Sequence, residues 1–241
     1  MKFKASLHLH TAEDPDDGKL IDYSASQIIT QAAASGFKVL AITCHHHFVY
    51  NQSLVKQAEK LEVLLLPGIE LELAAGPRRA HVVVLNCQPE IAELSTLMDL
   101  FDYKAKHPEI FVMAAHPNSD WHFSLGLKRL ADNADLFDAF EHTWFYSRWP
   151  NANRAVAKLA KKFSKPFIAT ADLHDRRFLE GDYTVIEAGG LTTDSIIKAL
   201  KAGRIKNFSS PKNWFEMFWF LLRFLILKPF LTLGDFRGKK Q

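Results

Sequence analysis

Short apolar runs alternate along the chain with longer stretches in which apolar residues recur every three to four positions. The first kind reads as buried strand and the second as amphipathic helix. The predicted strands are Phe3–His8, Val39–Thr43, Val63–Leu66, Ile110–Ala115, Leu136–Phe140, Pro166–Thr170 and Tyr183–Glu187. Helical patterns occupy Ser24–Ser35, Asn51–Lys60, Ile91–Lys106, Ser124–Ala131, Asn151–Phe163 and Thr193–Ala202. A further run, Val82–Leu85, lies close enough to Leu71 to form a hairpin through Gly76 and Pro77. Asp194 and Ser195 near Thr192 offer capping groups to the last helix, and Gly203 follows its end. This alternation implies right-handed crossovers and a parallel sheet, either open or closed into a barrel.

Polar residues that can hold a metal stand where the apolar runs stop. The first run ends in His8-Leu9-His10, the second in Thr43-Cys44-His45 and the third in Gly68-Ile69-Glu70. Later runs end in His116-Pro117, in Glu141 and in Asp172-Leu173-His174. In an α/β barrel the C-terminal ends of the strands share one face, and active sites are built there. Residues two apart on a strand point to the same side, so His8 with His10 and Asp172 with His174 each form a pair able to grip one ion.

Composition narrows the setting. The chain has 241 residues, 48% hydrophobic and 24% charged, which is enough for a sizeable core without disulfides. The net charge of +3 is too small to argue for nucleic acid or membrane. Only Cys44 and Cys87 are present, and Met1–His10 lacks the apolar stretch of a signal peptide, so a reducing, cytoplasmic location is expected. The absence of a G-x-S-x-G elbow and of a P-loop counts against acyl transfer by serine and against nucleoside-triphosphate motors.

The composition breaks near residue 210, dividing the chain into 1–210 and 211–241. From Trp214 to Leu231 the sequence is dominated by Trp, Phe, Leu and Ile, with Glu216, Arg223 and Lys228 as its charges, and the tail Arg237-Gly238-Lys239-Lys240 is basic. Glu216 and Arg223 are seven apart and share one narrow polar stripe. Packing on the body or on a second subunit, contact with a membrane surface, and spanning are the three readings. A mid-span Arg costs roughly 2.5–3.5 kcal/mol and weighs against the last.

The motifs His8-Leu9-His10-Thr11, Ala41-Ile42-Thr43-Cys44-His45, Pro67-Gly68-Ile69-Glu70, Ala115-His116-Pro117 and Ala171-Asp172-Leu173-His174 follow one another in a familiar order. From about Phe3 to Phe208 the chain resembles the PHP (polymerase and histidinol phosphatase) family of metal-dependent phosphoesterases. The resemblance implies an α/β fold, a distorted (β/α)7 TIM-like barrel, with a trinuclear metal centre at the C-terminal ends of its strands. It also implies His8, His10, His45, Glu70, His81, His116, Asp172 and His174 as ligands, with Glu70 bridging two ions. His81 opens an apolar run instead of ending one, so its place rests on the resemblance. A further ligand comes from the loop after the first motif, where Asp14, Asp16 and Asp17 all qualify and Asp17-Gly18 matches the usual pattern best. One departure stands out: the family's Thr-Asp-His has become Thr43-Cys44-His45. Strand alternation turns Cys44 away from the site and into packing. His45 then needs a substitute acceptor from His46 or another neighbour.

Mixed nitrogen and oxygen ligands suit two to three divalent ions of Zn, Mn or Fe. Such a cluster is expected to hydrolyse a small phosphate monoester or a short nucleotide through a metal-bound hydroxide. His174, Arg176 and Arg177 are the expected catalytic residues, the arginines gripping phosphate. Arg78, Arg79 and Arg148 are further cations, and Trp144, Phe145, Tyr146 and Trp149 could stack on a base. His47, His107, His122 and His142 are read as ordinary surface histidines, and Glu141 as support for a ligand. The competing readings are a 3′-end exonuclease, which would need a basic groove, a metal-dependent amide hydrolase, and a metal-binding structural module without catalysis.

Overall fold

The computed structural model describes residues 1–118, 123–149 and 151–222. His122 and the part of the C-terminal segment from Arg223 onward lie outside the described residues.

Two mixed sheets of five strands face each other. The first has the order β10 (Ile205–Phe208), β9 (Tyr183–Glu187), β1 (Lys2–Ser6), β2 (Val39–Ala41) and β3 (Leu64–Leu66). In the second, β4 (Gly68–Ala75), β5 (Arg78–Leu85), β6 (Phe111–Ala114), β7 (Ala139–His142) and β8 (Phe167–Ala169) run in sequence order. The helices are α1 (Ala25–Ala34), α2 (Gln52–Lys60), α3 (Leu97–Lys106), α4 (Gly126–Asp132), α5 (Asn153–Lys162), α6 (Thr193–Lys201) and α7 (Trp214–Leu222).

The expected closed (β/α)7 barrel of parallel strands is not formed. A barrel needs a ladder that continues round every strand. Here β9 is antiparallel to β1 and to β10, and β5 is antiparallel to both β4 and β6. The sheets meet through single bridges, His45 with Glu70 and Leu9 with Leu173. Pro67, which has no N–H to donate, stands between β3 and β4 where the chain passes from one sheet to the other. The crossing is tight: a Cβ at Gly68 would lie 3.1 Å from Leu85 Cδ2 and 3.1 Å from Thr43 Cγ2.

Packing follows the two-sheet plan. Ile28, Ile29 and Ala32 of α1 and Ala58 of α2 cover the outer face of the first sheet against Leu40, Ile42 and Leu65. Leu100 of α3, Leu130 of α4 and Val156 of α5 cover the second against Leu71, Leu73, Val82 and Val84. Between the sheets lie Phe3, Ala5, Val39, Ala41, Val83, Phe111, Met113, Ile168 and Ile186. Ile196 and Leu200 of α6 join this inner core from the end where β9 stops, opposite Lys2.

Local chemistry sets several boundaries. The predicted helix Ile91–Lys106 divides into a 3-10 turn, Pro89–Glu93, and α3, because Thr96 and Asp99 form a capping box that starts the helix afresh. The predicted caps of α6 are present: Thr192 accepts from the Ser195 amide, and Gly203 takes φ 65° after the helix ends. β10 was not predicted. It is a four-residue edge strand with mostly exposed side chains, so it carries no apolar alternation.

Candidate metal centre

Beyond β1, Leu9 bridges Leu173 and the His10 amide donates to the Leu173 carbonyl at 3.0 Å. His8 and His10, two apart, therefore face the segment that carries Asp172 and His174. On the other side, His45 bridges Glu70. Both seams between the sheets thus end in the same cluster of side chains.

Glu70 is its centre. Its Oε2 lies 3.2 Å from His8 Nε2, 3.2 Å from His10 Nε2 and 3.1 Å from His45 Nε2. Its Oε1 accepts no hydrogen bond but faces His81 Nδ1 at 3.1 Å and His116 Nε2 at 3.4 Å. Five imidazoles thus surround one carboxylate that is 1% exposed. Asp172 Oδ1 stands 3.4 Å from His8 Nε2, 3.3 Å from His10 Nε2 and 3.5 Å from His174 Nδ1. His174 Nε2 in turn lies 3.2 Å from Asp17 Oδ2.

A surrounding set of acceptors orients these rings. Glu141, fully buried, accepts from His8 Nδ1 at 2.8 Å through Oε1, which also accepts from Thr170 Oγ1, while its Oε2 accepts from the His116 amide. Asp14 Oδ2 accepts from His10 Nδ1 at 2.8 Å, from His45 Nδ1 at 3.0 Å and from the His45 amide at 2.8 Å. Its Oδ1 accepts from the amides of Asp16 and Asp17, which fixes the loop. Glu72 backs His81, with Oε2 3.7 Å from Nε2, and pairs with Arg79.

The backbone is strained here as well. His46, His116 and Asp172 have φ of 46°, 26° and 41°, a region costing non-glycine residues on the order of 1–3 kcal/mol each. His46 is held there by contacts from both ring nitrogens, to the Ala92 carbonyl at 2.9 Å and to the Glu72 amide at 2.8 Å.

Electrostatics follow from this crowding. Burial opposes charge on His8, but Glu70, Glu141 and Asp172 outweigh it and hold the ring well above its ordinary pKa. His10 is raised in the same way, with Asp14, Asp172 and Glu70 overcoming burial. His45 is pushed up to about 9, because Glu70 and Asp14 outweigh burial and the repulsion of His10. His81 is raised by Glu70 and Glu72 against burial. Burial alone would raise the carboxyls of Glu70, Asp172 and Asp14, yet the surrounding histidines hold all three well below the usual range.

This donor set fits divalent cations. Each ionised carboxylate only accepts, so the Nδ1 atoms of His8 and His10 that meet Glu141 and Asp14 carry hydrogens. In the neutral rings the Nε2 lone pairs then face each other at 3.2 Å, with the oxygens of Glu70 and Asp172 beside them. A divalent cation would take the place of the protons that these carboxylates otherwise draw onto the rings. Three groups have ligand atoms within 4.8 Å of one another: His8, His10 and Asp172; His10, Asp14 and His45; His45, Glu70 and His81. In the second, Asp14 meets both rings through Nδ1, so it serves as their common support.

The structure brings together His8, His10, Asp17, His45, Glu70, His81, His116, Asp172 and His174. Arg176 and Arg177 lie on a 3-10 turn just after His174, at the surface, paired with Asp22 at 3.3 Å and Asp175 at 2.6 Å. Asp14 and Thr170 are the supporting residues that spacing did not single out. Asp14 stands four residues after His10, and Thr170 two before Asp172. Cys44 points away into the packing of Leu9, Tyr23 and Ile42, with Sγ 3.4 Å from Thr11 Oγ1.

The sequence model of the family described as PHP domain matches residues 6–169, and that described as PHP-associated matches residues 150–205. The chain belongs to the PHP family. No curated protein sequence matches this PHP chain. Among solved structures it is similar to a two-domain protein from Bacteroides vulgatus, described as containing a predicted PHP-like metal-dependent phosphoesterase, with TM-score 0.66 and 19% identity over 87% of the chain. The chain spans 65% of the length of that protein. It is similar also to PsfC from Pseudomonas syringae, with TM-score 0.61 and 17% identity over 97% of this chain and 98% of that one. A third similarity is to the lesion-specific endonuclease PfuEndoQ from Pyrococcus furiosus, with TM-score 0.60 and 18% identity over 86% of this chain and 58% of that one. These likenesses concern the fold.

Proposed function

We propose that the chain is a metal-dependent phosphoesterase acting on a small phosphate monoester or a short nucleotide, with two to three Zn, Mn or Fe ions. The observation that carries this reading is Glu70, a buried carboxylate facing five imidazoles, in a chain of the PHP family. His8, His10, His45, Glu70, His81, His116, Asp172 and His174 would hold the ions, joined by Asp17 at the edge through its contact with His174. When bound, divalent cations supply Lewis acidity, drawing charge from phosphoryl oxygens and making water acidic enough to attack near neutral pH.

The chain's own residues set the geometry for that chemistry. Glu141 and Asp14 keep protons on the Nδ1 atoms of His8 and His10, so their Nε2 lone pairs stay turned inward. The Nδ1 of His174 lies 2.9 Å from the Asp172 carbonyl, which holds this ring at the edge of the cluster, where it would meet the substrate. Arg176 and Arg177 would grip phosphate. The partner of Arg176, Asp22, is exposed, and an exposed pair is worth at most about 1 kcal/mol, so an arriving dianion can replace it. Arg177 is held by the largely buried Asp175 but keeps most of its own side chain in solvent. No serine or cysteine nucleophile is required.

The test is a panel of phosphate mono- and diesters assayed with Mn²⁺, Zn²⁺ and Fe²⁺. Turnover of a small monoester or short oligonucleotide, abolished by chelator and restored by one of these metals, is expected. A protein that binds the metals yet hydrolyses nothing in the panel would leave the structural-module reading in its place.

A further inference from the structure

Four aromatic side chains of α7 stand largely in solvent. Trp214, Phe215, Phe218 and Trp219 are 66%, 69%, 59% and 54% exposed. At 100° per residue these four occupy one continuous face of the helix, and Glu216 lies off it. The helix is nevertheless firmly rooted. Lys212, just before it, is buried and pairs with Asp182 at 2.5 Å, and its amide donates to the Tyr146 carbonyl at 2.8 Å. Ser209 donates to the other oxygen of Asp182, and Tyr146 Oη lies 3.0 Å from Ser209 Oγ. Asn213 and Glu216 then cap the first turn reciprocally, at 2.9 and 2.8 Å.

The root also fixes the side of the body from which the helix starts. β10 runs parallel to β1, since each is antiparallel to β9, and Phe208 pairs with Tyr183 at the end of the sheet where β1 leads into His8. The loop after β7, with Tyr146 and the 76% exposed Trp149, starts from that same end beside Glu141. α7 therefore leaves the body on the side of the metal centre.

We infer that α7 docks this side of the protein onto an anionic membrane surface, lying in the interface with its aromatic face inward. Exposed Trp and Phe side chains partition into the boundary between headgroups and acyl chains, and indole rings favour the headgroup level. The charge is complementary. The chain after α7 carries Arg223, Lys228, Arg237, Lys239 and Lys240 against the single acid Asp235. Among the described residues no helix is long and apolar enough to cross a membrane.

The test is flotation of the full chain with vesicles of phosphatidylcholine alone and of phosphatidylcholine mixed with phosphatidylglycerol. The chain floats with the mixed vesicles, less so as salt is raised, and its tryptophan emission is quenched by brominated lipid, a readout that needs no variant. The variant W214S/F215S/F218S/W219S loses partitioning by about tenfold or more, with its circular dichroism and metal content unchanged. Failure of the wild-type chain to float with either vesicle overturns the inference. So does equal flotation of the variant, or a dimer in sizing that the variant splits while neither protein binds lipid.

Discussion

The Oδ2 atom of Asp14 accepts both the amide and the ring N–H of His45, at 2.8 and 3.0 Å, although the two residues come from different loops. The same atom accepts from His10 Nδ1. Asp14 is thereby the acceptor that orients His45, while Cys44 faces the apolar packing. Asp14→Ala should weaken metal binding about 10–100-fold by freeing two rings at once, while Cys44→Ala keeps metal and most activity. Metal titration of both variants checks the pair of outcomes. Loss of metal in Cys44→Ala would show that the thiol, and not Asp14, orients His45.

Glu70→Gln removes a charge with little change of volume. It should lose metal and phosphoesterase turnover together, by about a hundredfold or more, if the carboxylate at the middle of the five imidazoles is a ligand. Folding should survive, because the core lies between and outside the sheets and Glu70 sits at their end. Elemental analysis, rate measurement and circular dichroism on one preparation decide it; full metal and full rate would remove Glu70 from the centre.

Glu141 tests support separately from ligation. Glu141→Ala would strand His8 Nδ1, the Thr170 hydroxyl and the His116 amide, and a buried group without its partner costs about 1–3 kcal/mol. Metal-free protein should therefore unfold at lower urea, by several kcal/mol in total, with Glu141→Gln intermediate. A loss below about 1 kcal/mol would mean that water replaces the carboxylate freely.

The two thiols give a pH dependence. Burial pushes Cys44 up to about 11 and Cys87 up to about 12. In the unfolded chain a thiol titrates near ~8.5. Above that pH the unfolded state releases protons that the folded state keeps, so stability falls as pH rises from about 8.5 towards the folded values. Thiol labelling at pH 8 should be slow for both cysteines and should accelerate with denaturant. Fast labelling of Cys87 in the native protein would contradict its burial.

The ring of site residues was legible because metal-capable side chains stop six apolar runs, and chance does not place them so. His81 obeys the same rule in reverse: β5 runs against β4, so the start of its apolar run lies beside Glu72 at the site end. Three features were not legible. Asp14 competes with Asp16 and Asp17 in one loop, and only the folded loop shows which carboxylate has amides on one oxygen and imidazoles on the other. β10 has no alternation because only Ile205 of its four residues reaches the core and the other three are exposed. The gap between the sheets escaped notice because single bridges at Leu9 and His45 leave no trace in hydrophobicity, whereas apolar runs look alike in a closed barrel and in two facing sheets.

That gap has a mechanical consequence. His8 and His10 follow β1 and His45 follows β2 of the first sheet, whereas Asp172 follows β8 and Glu70 lies in β4 of the second. An ion held by either set is a non-covalent staple across a seam that the backbone ladder leaves almost open. The staple from His8 to Asp172 encloses most of the chain, and restraints on long loops remove the most freedom from the unfolded ensemble. Bound metal would then tighten the seating of the two sheets as well as supply chemistry, while the apolar core between them keeps the metal-free chain folded.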